Sequence, residues 1–150
     1  MTASTSPASN AEQRFLDGYS CSESVASIFA THFGLPEEPL RRAACGFGGG
    51  MGGMGRTCGA ATGAIMAIGM ALAPDDPTNA AARSQVKNAV RTFLQEFEER
   101  HGSSHCKQLL GCDLSTPEGY NEARSRNLFK TICPSFVLTA GELLEQLLDK

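Results

Sequence analysis

The chain has no tryptophan, two tyrosines and eight phenylalanines, and no segment reads as an alternating strand or an internal repeat. A strand-built architecture is excluded on that ground. No two cysteines stand two residues apart, which rules out zinc-ribbon and thioredoxin spacing. The longest apolar run, Gly59 to Ala73, falls short of the roughly 20 residues needed to cross a bilayer, so it reads as a buried helix. Basic residues are scattered and the net charge is -3, without the concentrated positive face that nucleic acid requires. No Ser/His/Asp set and no paired carboxylates suggest a hydrolase. Met1 to Asn10 carries neither a basic segment nor the apolar core of a secretion signal. It reads as a disordered tail, with a single domain over 11–150 and a cytoplasmic location expected.

What the chain does have is cysteine and glycine, six and sixteen of them respectively. In 150 residues, 41% hydrophobic and 19% charged, a core forms without disulfide staples. In a reducing compartment cysteines then serve as ligands or redox thiols. Which of the six matter depends on where the helices start.

Ser20 and Glu23 have the capping-box spacing, followed by Val25, Ile28, Phe29 and His32 at helical intervals up to Gly34. Cys21 opens that helix. A second helix is expected from about Glu37 to Cys45. Thr57 is placed to cap a third, with Cys58 its first residue and Ala60, Ala64, Ala67 and Ala71 a small-residue stripe beside Gly63 that admits a close neighbour. Such a stripe also suits a homodimer. Thr78 or Asn79 caps a long helix to His101, ended by Gly102. Ser103 or Ser104 caps a short turn with Cys106 in its first turn, and a helix follows Pro117. Pro134 is placed at the first position of a terminal amphipathic helix, with Cys133 as N-cap. The fold class is therefore all-α, a compact bundle of about five to seven helices with a glycine-rich loop between them.

Cys21, Cys58, Cys106 and Cys133 thus fall at or within one turn of a helix N-terminus, where backbone N–H groups and the helix dipole favour thiolates. Cys45 and Cys112 do not. The residue pattern leaves open what the four thiolates hold, and buried cysteine without chemistry is the competing reading.

The loop from Cys45 to Gly55 has too few side chains for a regular element, so its backbone visits positive φ. Gly50 to Thr57 nearly matches a P-loop, but Arg56 replaces the lysine and no strand precedes it, so nucleotide binding is set aside. The same loop suits an anion-binding concavity beside Cys58, with Gly48, Gly49, Gly50 and Gly59 as the glycines nearest a cofactor. His101 and His105 read as turn residues, although His105 adjoins Cys106. Met51, Met54, Met66 and Met70 read as gap-filling side chains, not soft-metal ligands.

The segments Gly18-Tyr19-Ser20-Cys21-Ser22-Glu23, Gly48-Gly49-Gly50-Met51-Gly52, Cys58-Gly59-Ala60-Ala61-Thr62-Gly63, Cys106 to Gly111 and Cys133-Pro134 together resemble the C_GCAxxG_C_C family of redox-active proteins, over about residues 11 to 148. The family's four cysteines map onto Cys21, Cys58, Cys106 and Cys133. The family is similar to the N-terminal part of split-Soret cytochromes, which implies an iron-sulfur cluster, although this chain has no CxxCH haem site. The resemblance also implies gene association with transporters, which makes a membrane transporter one candidate for the unidentified electron-transfer partner.

Three chemistries follow for the same residues. The leading one is an iron-sulfur cluster, two-iron in type, held by Cys21, Cys58, Cys106 and Cys133 for electron transfer or redox sensing. Second is cofactor-free thiol–disulfide exchange with Cys58 as nucleophile. Third is a zinc site recruiting His105.

Overall fold

A computed structural model describes residues 6–148. Among them are nine α-helices and no strand, and the lone extended pairing is an antiparallel bridge between Thr57 and His105. The helices are α1 Pro7–Leu16, α2 Cys21–His32, α3 Glu37–Ala44, α4 Gly59–Leu72, α5 Ala80–His101, α6 Cys106–Leu110, α7 Pro117–Ser125, α8 Leu128–Thr131 and α9 Cys133–Leu148, with a 3-10 turn at Cys45–Phe47. The protein is all-α, as its periodicity implies.

The bundle is organised around α4. Its residues Ala60, Ala61, Ala64, Ala67 and Ile68 are fully buried, and α2, α5 and α9 pack around it. Ala71, the fourth member of the expected stripe, is exposed. The closest approach is to α2, where a Cβ placed on Gly63 would stand 2.8 Å from the Ser22 carbonyl oxygen and 3.0 Å from the Val25 Cβ. Phe29, Phe93, Phe97, Val137, Leu143 and Leu144 fill the rest of the core. Small residues set the distance between the axes, and large ones on the neighbouring helices close the gaps.

Several starts follow from local signals. The Ser20 hydroxyl and the Glu23 carboxylate form the full capping box of α2. Asn79 caps α5, and Gly102 ends it at φ 85°. At three other starts the structure shifts the expected roles. Cys58, not Thr57, is the N-cap of α4, because Thr57 is held in the bridge to His105. His105 takes the N-cap position of α6, while the Ser103 hydroxyl accepts from the His105 N–H. Cys133 is already helical, with Pro134 second in α9.

The expected N-terminal tail, 1–10, needs correction where it is described. Ser6 caps α1 and Pro7 occupies its first turn, a start signal that a Ser/Ala-rich composition conceals. Ala8 and Ala11 are buried, the Ala8 N–H donates to Glu145 Oε1 at 2.9 Å, and a Cβ on Gly141 of α9 would stand 2.5 Å from the Ala8 Cα. Alanine composition here marks close helix packing. Residues 1–5 of that tail, and 149–150 of the expected domain, lie outside the described residues. Besides α1, the structure adds the one-turn α8, whose start rests on Asn127 at φ 59°.

The α2–α4 contact leaves no room for a methyl group. Gly63→Ala is expected to destabilise the fold by about 1–3 kcal/mol through overpacking, read as a fall in Tm of roughly 2–4 °C per kcal/mol for a domain of this size. An unchanged Tm would contradict the close approach.

Candidate functional site

Two sets of backbone hydrogen bonds bring distant cysteines together. The Cys58 N–H donates to the Ser104 carbonyl at 2.7 Å, the Cys106 N–H donates to the Arg56 carbonyl at 2.7 Å, and the Lys107 N–H donates to the Gly55 carbonyl at 3.0 Å. This clamp sets the start of α6 beside the start of α4. The second contact is tighter still. The Cys21 sulfur lies so close over Gly59 that a Cβ there would stand 2.2 Å from it. α9 contributes Cys133 from its first residue.

Cys21, Cys58, Cys106 and Cys133 all line one cavity of about 110 Å³, walled by Phe15, Leu110, Leu114, Phe129 and Phe136. Cys58 and Cys106 are 5% and 7% exposed, whereas Cys21 and Cys133 are half-buried. All six cysteines are free thiols. Cys45 is exposed on the 3-10 turn. Cys112 is buried elsewhere, its S–H donating to Glu122 Oε2 at 3.5 Å. Neither reaches the cavity. Among the described residues no three or more His, Cys, Asp or Glu side chains converge closely enough to hold one metal ion.

The expectation that these thiols are anionic is overturned. Burial is the largest influence on each of the four and pushes each pKa up. For Cys21 the N–H groups of Gly49, Ser22, Cys21 itself and Gly59 oppose that push and do not outweigh it. Cys58 is raised well above its ordinary value by burial and by Cys21, against the N–H groups of Ala60 and Ala61. Cys106 and Cys133 are each pushed up to about 12, by burial and then by the neighbouring sulfurs. Backbone donors reach the sulfurs of Cys21 and Cys58 but not those of Cys106 and Cys133, and no lysine, arginine or histidine lines the cavity. Desolvation by apolar walls therefore wins, and without a bound cation the thiols are neutral at pH 7.

The glycine loop also differs from its expected role. The N–H groups of Met51, Gly52, Gly53, Gly55 and Arg56 donate to the carbonyls of Phe47, Gly46, Gly48, Gly49 and Gly50. These five are engaged within the loop. Gly49 and Gly59 line the cavity, and both N–H groups point at the Cys21 sulfur. Gly48 and Gly50 do not line it. Gly48 packs on Ser20, and Gly50, at φ 77°, lies 2.6 Å from the Arg56 nitrogen measured from where a Cβ would be. No side chain fits at Gly50, which keeps the loop folded back on itself.

His105 is exposed and outside the cavity. His101 is half-buried, sharing a 2.9 Å hydrogen bond with Thr139 Oγ1 and standing edge-on to Phe136 at 4.9 Å. Phe15 and Phe129 were not legible as site residues, since they sit on α1 and α8, the two helices absent from the sequence reading. The Ser6-Pro7 start was the available signal for the first.

This is an all-α domain with two buried and two half-buried cysteines around one cavity. The family model described as "Putative redox-active protein (C_GCAxxG_C_C)" matches residues 19–147, and the chain belongs to that family. Its role is accordingly redox. No curated protein and no solved structure matches the chain.

The raised thiols carry a consequence for stability. A group whose pKa is higher in the folded than in the unfolded chain contributes stability below its unfolded pKa and loses it as pH rises toward the folded value. For Cys106 and Cys133 that window runs from an ordinary value near 9.0 up to about 12. The Tm of metal-free, fully reduced protein is expected to fall over this window, with a shallower fall in the Cys106→Ser/Cys133→Ser double variant. Equal slopes in both proteins would contradict the assigned burial.

Proposed function

We propose that Cys21, Cys58, Cys106 and Cys133 hold an iron-sulfur cluster of the two-iron type, used for electron transfer or redox sensing. The observation that carries this reading is four thiols lining one apolar cavity, a donor set of the number and kind that a two-iron core takes. A bound cluster supplies one-electron chemistry. The chain's own groups would do the rest.

Loading requires each thiol to lose its proton, and in an unpaired state burial opposes that loss. A cationic core compensates the charges that the cavity otherwise disfavours. The N–H groups of Gly49 and Gly59 at Cys21, and of Ala60 and Ala61 at Cys58, would then donate to ligand sulfurs and stabilise the more negative reduced form. The apolar walls act oppositely, lowering the potential and excluding water. Cofactor-free exchange through Cys58 is less well supported, because a nucleophilic thiol needs a lowered pKa and access. Cys58 is 5% exposed and its pKa is raised.

Anaerobic purification from a host that assembles clusters tests this directly. Two irons and two acid-labile sulfides per chain are expected, with visible absorbance. Cys→Ser at 21, 58, 106 or 133 should remove most of both, while Cys45→Ser and Cys112→Ser leave them unchanged. Gly59→Ala should also cut loading severalfold, by displacing the Cys21 sulfur. A colourless, iron-free wild-type chain, or stoichiometric zinc, would overturn the reading.

A further inference from the structure

Hydrogen-bond donors are unevenly shared among the four cysteines, and the chain itself explains why. Cys21 opens α2 and Cys58 caps α4, so the residues that follow them carry first-turn N–H groups with no partner four residues back. The N–H groups of Ser22 and Gly59, with that of Gly49 from the glycine loop, reach the Cys21 sulfur. Those of Ala60 and Ala61 reach the Cys58 sulfur.

Cys106 and Cys133 also open helices and receive none. At α6 the clamp has already taken the donors: the Cys106 N–H is bonded to the Arg56 carbonyl at 2.7 Å and the Lys107 N–H to the Gly55 carbonyl at 3.0 Å. At α9 the residue after Cys133 is Pro134, which has no N–H to give. The next one, Ser135, donates to the Ile132 carbonyl at 3.1 Å. No cationic side chain lines the cavity to make up the difference.

The two donor-rich sulfurs are also neighbours. The Cys21 sulfur is seated on Gly59, the residue next to Cys58, and it acts on Cys58 more strongly than Cys106 does. An added electron puts further negative charge on the sulfurs around the metal that receives it. N–H groups already fixed in place stabilise that charge without rearrangement, and in an apolar cavity they do so more strongly.

We infer that Cys21 and Cys58 share one iron and are the ligands at which the reducing electron is held, while Cys106 and Cys133 serve the iron that stays ferric. The inference rests on the cluster reading above. A reduced viologen gives up one electron and becomes its dication, one ferric centre becomes ferrous, and no bond or proton moves.

The chain divides conveniently for a test, because Cys21 and Cys58 lie before residue 106 and Cys133 lies after it. Chemical ligation at Cys106 joins 1–105 to 106–150 as the full, unaltered chain, with β-deuterated cysteine in one fragment at a time. In the loaded, one-electron-reduced chain, cysteine β-proton shifts shrink on warming at the ferric side and grow at the ferrous side, because the two iron spins oppose each other. Deuterating 1–105 is expected to erase the signals that grow and leave those that shrink. The opposite assignment, or loss of both kinds from one fragment, would overturn the inference and leave the cluster reading standing.

A second measurement reads the donors. An ester in place of the Ala60 amide, made by incorporating lactic acid, removes a single N–H at Cys58. The ratio of reduced to oxidised chain at a fixed potential is expected to fall about tenfold, which is about 59 mV for one electron. An ester at Ser135, whose N–H serves a carbonyl, should leave that ratio unchanged. Equal shifts in both, or none at Ala60, would also overturn the inference alone. A wild-type chain that takes up no iron overturns the cluster reading, and this assignment with it.

Discussion

Everything at the site depends on how closely α2 and α4 approach. Gly59 and Gly63, four residues apart on one face of α4, let the start of α2 lie directly on it. Gly63 admits the Ser22 carbonyl and Val25, while Gly59 admits the Cys21 sulfur itself. A methyl group at either position would separate the helices and move Cys21 away from Cys58. The clamp between residues 55–58 and 104–107 then adds Cys106, and α9, held against α1 through Gly141 and Ala8, adds Cys133. The small residues of this chain are therefore not filler. They fix the separations that turn four cysteines, scattered over more than a hundred residues, into one set.

A second constraint sets the chemistry. Two opposing influences act on Cys21 and Cys58: N–H groups at helix starts and in the glycine loop stabilise a thiolate, and the apolar walls penalise it; at Cys106 and Cys133 burial and the neighbouring sulfurs both raise the pKa. Cys21 shows the contest most clearly, with N–H groups of four residues arrayed against burial and burial still ahead. The result, without a bound cation, is a set of neutral thiols; in the proposed reading a cationic core would offset the charges they take on when deprotonated. The same arrangement explains why a freely reactive thiol is the weaker reading, since reactivity requires the contest to go the other way. In the proposed cluster-bound form these donors would face ligand sulfurs in a medium of low polarity, where a hydrogen bond is stronger.

Much of this was legible in sequence. Capping and periodicity located seven of the helices, and asking which cysteines sit at helix starts separated Cys21, Cys58, Cys106 and Cys133 from Cys45 and Cys112. What stayed hidden was tertiary. The bridge between Thr57 and His105 is a pairing of residues far apart in the chain, and it moved the start of α4 by one residue. α1 was concealed because Ser, Ala and Asn are as compatible with a tail as with a helix, and its stability comes from packing on α9. The raised thiol pKa values could not be read from helix ends alone, since Phe15, Phe129 and Phe136 come from three separate helices. In the glycine loop five N–H groups serve the loop's own carbonyls and that of Gly49 turns to the Cys21 sulfur, facts that composition does not reveal.

The central claim is that four thiols act jointly on one inorganic core, and native mass spectrometry of the anaerobically purified intact chain tests it most directly. The predicted mass is that of the polypeptide plus two irons and two sulfides, less the protons the thiols release on ligation. A bare chain, a chain lighter by the hydrogens lost to a disulfide, or a chain carrying one zinc would contradict it.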